Sequence, residues 1–315
     1  MAATPSSACL DTHRAAGNKN AFENYLRCIG ICWEYNFSMD RLGTFSSIAA
    51  QAGRGELTFP TSVDATLKLQ RALCDPALHV DAAARLVQAE PLLAARTVAI
   101  ANSVAYNRSG IDVTNVRVAM QRVGFRTLNA LAAAVIVRQL DSQITEPLLR
   151  AKADQLWQHS AHVAALSQVI ARRITRVDPE TAMFAGIVHE VGGFYLLSRA
   201  AEFPGLLDGE PEEWIESGEI AIGRGVLAKL GVPAPVMQAI EAMWGGMRAL
   251  PPETLGDTLM LANDLAPVDS PLHVRPGATS RQSAATIDFV TGEGTLASIL
   301  TESSDEISSL TAALC

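Results

Sequence analysis

From Phe59–Pro60 to about Ala266 the chain repeats one pattern: apolar residues recur three and four positions apart, until Pro, Gly or Asp interrupts the run. No stretch alternates apolar and polar residues with period two for long enough to demand a sheet. A helix buries a stripe of its surface only by packing that stripe on other helices, so the pattern predicts an all-α protein. Helices are expected at Ser62–Leu73, Asp81–Ala89, Pro91–Val104, Val113–Val123, Arg126–Leu140, Pro147–Thr175 and Pro179–Ser198. Further ones follow at Glu212–Leu230, Pro235–Met243, Pro252–Ala266 and Leu296–Ala313. Pro91 suits a first turn, where its missing N–H has no partner to lose, and Gly124 separates the fourth helix from the fifth. Composition agrees: aromatics are 5% of residues, and Ala and Leu lose little freedom in a helix.

The expected organisation is an N-terminal extension at 1–57, partly disordered, with one helix around Ala21–Tyr35. A helical domain at 58–268 follows, made of a bundle at 58–142 packed on a second at 146–268. A linker over 269–294, mobile on composition, leads to a short C-terminal helix. The longest apolar stretch, Ala130–Val137, lies between Arg126 and Arg138 and is too short to span a membrane, and the first twenty residues hold no apolar core of signal-peptide length. Cysteines 9, 28, 32, 74 and 315 are an odd number without a framework, as in reduced cytosolic proteins, so the expected compartment is the cytoplasm. Cys28 and Cys32 share a helix face and offer a metal or redox pair, against the ordinary reading of small buried apolar residues.

Net charge is −8 and unevenly spread: residues 60–180 hold 14 Lys/Arg against 10 Asp/Glu, residues 181–315 only 6 against 18. The acidic half repels phosphate backbones, and the arginines of the other half are scattered as on solvated helix faces. Nucleic acid is therefore not an expected partner.

Chemistry concentrates at His159, in LWQHSAHVAALSQVIARR, and at His189–Glu190, between the apolar runs AMFAGIV and VGGFYLL. One reading is a metal cradle built from two helices; the other is a pair of buried imidazoles bonding each other or nearby carbonyls. His162, one turn after His159, reads as a surface residue. Asn102–Ser103 either ends a helix by bonding its own backbone or contacts a ligand, and Trp157, Trp214 and Trp244 read as packing anchors.

An ordered series of motifs resembles the HDOD family, degenerate relatives of the HD-domain metal-dependent phosphohydrolases. It begins with Phe59–Pro60, Cys74–Asp75–Pro76, Glu90–Pro91–Leu92, Ala95–Arg96, Ala101–Asn102–Ser103 with Tyr106, and Arg122–Val123–Gly124 before Leu128. It continues with Leu156-Trp157-Gln158-His159-Ser160, Val163–Ala164 and Ala185-Gly186-Ile187-Val188-His189-Glu190-Val191-Gly192-Gly193, and spans roughly Thr58–Pro267. The resemblance implies that the second bundle is HD-like and that His159, His189, Glu190, Asn263 and Asp264 are the remains of a metal site. Arg96, Asn102, Ser103 and Tyr106 stand as family-signature or ligand residues.

Active HD enzymes carry His–Asp where this chain has His189–Glu190, and the added methylene moves the carboxylate by about an ångström, which a tight metal geometry does not tolerate. They continue Gly–Lys where this chain has Gly192–Gly193, which removes a cation for substrate phosphate. The late Asp falls at Asn263, with Asp264 about 100° further round a helix. The expectation is a regulatory, non-catalytic module of bacterial signal transduction with no bound metal or cofactor. It acts through signalling protein partners or a nucleotide second messenger. A metal-dependent phosphohydrolase or cyclic-nucleotide phosphodiesterase is the alternative.

Overall fold

The computed structural model describes residues 41–315 except 76, 201, 210, 247, 248, 250 and 274–294. The expected helix at Ala21–Tyr35 and the Cys28–Cys32 pair lie outside the described residues. The chain divides into compact units at 1–44 and 45–315. Of the first, residues 41–44 are described and are helical. Every regular element among the described residues is helical, as the pattern required.

Helix α1 (41–53) precedes the first helix expected from sequence. In the second unit its Phe45 and Ile48 are buried, the Phe45 ring lying 6.4 Å from that of Trp214. Four helices follow: α2 (Thr61–Leu73), α3 (Val80–Gln88), α4 (Pro91–Ala101) and α5 (Val116–Leu140). The Asn115 side chain caps α5 by accepting from the Arg117 and Val118 amides. Within α5, Gly124 has φ 80° and ψ 166°, so the break expected there exists as a kink between two helical stretches rather than as a loop. Beyond it, every side chain from Ala130 to Val137 is buried, and helices pack round α5 on all sides. Its small alanines admit close neighbours, while Val135, Ile136 and Val137 each contribute about 1.5–3 kcal/mol of burial.

Next comes α6 (Pro147–Ile170), whose first turn holds Pro147 and is capped by the Glu146 carboxylate, and which runs into a π turn at Ala171–Thr175. Then come α7 (Pro179–Val188) and α8 (Val191–Ala200), where one helix was expected. The break falls at His189–Glu190 and turns the two residues inward. The short α9 (Pro211–Trp214) and a π turn lead into α10 (Ile220–Lys229), followed by α11 (Ala234–Gly245) and α12 (Leu255–Leu265). Helix α5 packs on α7 and α8. The expected C-terminal helix is two, α13 (Thr295–Glu302) and α14 (Ser304–Leu314), and α14 lies on α4 and α6.

Candidate functional site

His159 lies in the middle of α6, on a stretch where nearly every residue is buried, and is itself 0% exposed. His189 ends α7, a helix begun by Pro179 and by Asp178, whose carboxylate accepts the Thr181 amide. Gly186 sets the distance between them. A Cβ there would come within 2.5 Å of the Ala164 Cα, so α6 and α7 touch backbone to backbone one turn from each imidazole. The result is an Nε2-to-Nε2 separation of 3.3 Å.

Two neutral rings do not supply every proton that this arrangement can use. His159 Nδ1 lies 2.7 Å from the Val268 carbonyl oxygen and His189 Nδ1 lies 2.8 Å from that of Gly186, and each contact needs an N–H. The Nε2 contact needs a third, and two neutral rings carry two. Burial pushes His189 down to about 4, against the pull of Glu190, which disfavours supplying the extra proton. With both Nδ1 atoms on carbonyl oxygens, the two Nε2 atoms point toward each other, the orientation that imidazoles take when they ligate a metal.

The Glu190 carboxylate completes the group: one donor atom from each of His159, His189 and Glu190 lies within 4.8 Å of the other two. The extra methylene of Glu190, expected to spoil a tight metal geometry, still leaves a carboxylate oxygen within that distance of both imidazoles. In kind and spacing the three donors fit a divalent ion. Asp264, in the last turn of α12, does not join the group, and Asn263 brings an amide in place of a carboxylate.

The same carboxylate already has a partner that the sequence reading missed. His273 Nδ1 lies 3.1 Å from Glu190 Oε1, and its Nε2 lies 2.7 Å from Glu219 Oε1. Burial opposes charge on His273, but the two carboxylates overcome it and hold the imidazolium up to about 11. Glu190 is held well below the usual carboxylate range: burial would raise it, and the charge of His273 outweighs burial. Residues 269–273, assigned to a mobile linker on composition, are seated on the site. Gln155 Nε2 donates to the Asp269 carbonyl, and Leu272 is buried against Gly193, where a Cβ would come within 2.6 Å of its Cδ1. Their signal in the sequence was Leu272–His273, an apolar and a titratable residue within a polar stretch.

Residues 59–213 match the HDOD domain family. The chain carries an HDOD domain. Three solved structures share its fold. A proposed metal-dependent phosphohydrolase from Shewanella amazonensis has 20% identity and a TM-score of 0.68, over 88% of this chain and all of that one. An HDOD domain protein from Geobacter sulfurreducens has 20% identity and a TM-score of 0.59, over 86% and 97%. A proposed signal transduction protein from Marinobacter aquaeolei has 19% identity and a TM-score of 0.52, over 82% and 60%. No curated protein matches the chain.

Within the HDOD domain the signature residues are tied into the scaffold. Asn102 ends α4 and its amide clasps Val113, donating to the carbonyl and accepting from the N–H at 2.8 Å each, which fixes the loop before α5. The Ser103 hydroxyl donates to the Ile100 carbonyl. The Tyr106 hydroxyl links Thr127 of α5 to Gln168 of α6, and burial pushes its pKa up. Arg96 donates to the main-chain oxygens of Ala313 and Cys315, and with Arg138 it flanks the buried Trp157 ring. His162 bonds the Gln158 carbonyl of its own helix. Trp214 is buried, and the Trp244 ring packs against Gly223.

Proposed function

We propose that this chain is a non-catalytic regulatory module of bacterial signal transduction, working in the cytoplasm by binding a signalling protein or a nucleotide second messenger. His159, His189, Glu190, Asn263 and Asp264 are then the remains of a metal site, and nucleic acid is not a partner. One observation carries the reading: the Glu190 carboxylate, the site's strongest anionic donor, is spent on His273 within the fold. Burial agrees, since His159, His189 and Glu190 are 0%, 3% and 6% exposed, which leaves a phosphoester no approach. The Leu272 side chain against Gly193 also fills the space where a phosphate-binding lysine would begin. Helices stacked in this way present grooves suited to a partner's helix.

The alternative, a metal-dependent phosphohydrolase or cyclic-nucleotide phosphodiesterase, is favoured by the two Nε2 atoms turned toward each other 3.3 Å apart beside Glu190. An ion held by His159, His189 and Glu190 supplies Lewis acidity toward a phosphoryl oxygen or a bound water. The test is metal content after purification, then turnover of a generic phosphodiester with added manganese. The expected result is substoichiometric metal and no turnover. Stoichiometric metal with hydrolysis abolished by His189→Ala replaces this reading by the enzymatic one. Calorimetric titration with cyclic dinucleotides and guanosine tetraphosphate decides between a nucleotide and a protein as the ligand.

A further inference from the structure

The segment after α12 returns to the imidazole pair and is attached there at several points. The Val268 carbonyl oxygen bonds His159 Nδ1, and the Asp269 carbonyl accepts from Gln155. Ser270 Oγ lies 3.2 Å from His273 Nδ1 and accepts the Leu272 amide, folding the backbone into a turn. The buried Leu272 fills the hollow over Gly193 and Leu156. His273 ends the segment with one ring nitrogen on Glu190 and the other on Glu219, a residue of the π turn before α10.

We propose that residues 268–273 are an internal plug, in which His273 competes with a divalent cation for the Glu190 carboxylate while Leu272 closes the approach over Gly193. The inference rests on the reading of His159, His189 and Glu190 as a relic metal site, and adds that the chain itself keeps an ion out. Either occupant meets the same requirement, because a buried carboxylate must have a positive partner. His273 has the advantage of being tethered next to its target, with Glu219 holding its far side. A metal ion in turn draws on His159 and His189 as well as on Glu190. Withdrawal of the plug therefore exchanges one cation for another and opens a face of the site, so the state of this segment sets whether the domain is metal-free.

The test is isothermal titration of the full chain with manganese(II) alone, at one pH, for the wild type, His273→Ala and His273→Ala/His189→Ala. The plug predicts that His273→Ala binds one equivalent at least tenfold more tightly than the wild type, and that the gain disappears in the double variant. Equal affinity for the wild type and His273→Ala overturns it, as does a gain that survives loss of His189. Glu219→Ala provides a second variant should His273→Ala fail to fold, because it removes the far tether and leaves all three donors in place; it is expected to tighten binding, and no change overturns the plug. Stoichiometric metal with His189-dependent hydrolysis by the wild type refutes the non-catalytic reading, whereas the ratio of affinities between wild type and variant judges the plug, so the two failures are distinct.

Discussion

Any side chain at Gly186 drives its Cβ into the Ala164 backbone, 2.5 Å away, and backbone within a packed helix pair cannot swing aside as a flexible side chain can. Gly186→Val is expected to cost about 1–3 kcal/mol by overpacking, read as a lowered melting temperature in calorimetry. An unchanged melting temperature refutes the claim that this contact sets the spacing of His159 and His189. The neighbouring polar atoms show how much one residue decides. Glu190 is one methylene longer than the aspartate of an active site, and sequence reasoning took that length as fatal. A carboxylate oxygen lies near the imidazoles, and the same carboxylate faces His273, eighty-three positions later. A local pattern names the donors; it carries no information on which distant residue reaches them first.

Among the helices, α12 has the most elaborate start. Thr254 Oγ1 accepts the Asp257 amide, while the Asp257 carboxylate accepts from the amides of Ala249, Glu253 and Thr254 and from the Thr254 hydroxyl. Burial would raise the Asp257 pKa, and these bonds outweigh it and hold the group below its usual value. A carboxylate depressed in the folded state contributes stability that is present above its unfolded pKa and is lost as pH falls through the folded one. Asp257→Asn is therefore expected to flatten the acid limb of the unfolding curve below about pH 4, and Asp257→Ala to cost about 1–3 kcal/mol at neutral pH. An acid limb unchanged in Asp257→Asn refutes that assignment. At the other end of the chain, Arg172 pairs with Glu306, and Arg96 holds the oxygens that end α14. Arg172→Ala is expected to speed amide hydrogen exchange over residues 304–314 selectively. Equal acceleration throughout the chain argues instead that α14 unfolds only with the whole.

Over the whole molecule, periodicity and breakers were enough to specify an all-helical chain, because a helix carries its hydrogen bonds and its apolar stripe within a local segment. Pro91, Pro147 and Pro179 mark helix starts in the structure as they do in the sequence, and Gly124 marks a kink. The HDOD resemblance, the His159 and His189–Glu190 constellation and the anchoring tryptophans were legible for the same reason: each is a residue type in a local frame. Three features were not. Helix α1 has a short apolar stripe, completed only by Trp214 and by the close approach of Gly225 to Ala52. The split between α7 and α8 leaves an apolar run that reads equally well as one helix. Residues 269–273 look like linker because their composition is polar, yet they are held by Gln155, Gly193, Glu190 and Glu219, none of them near in sequence. The sequence alone determined most of the helices, the breaks marked by Pro and Gly, and the identity of the candidate donors, since those follow from backbone geometry and side-chain chemistry within a few turns. Only the tertiary structure decided that the carboxylate belongs to His273, because ownership of a buried charge is settled by which opposite charge packing brings within about 3 Å.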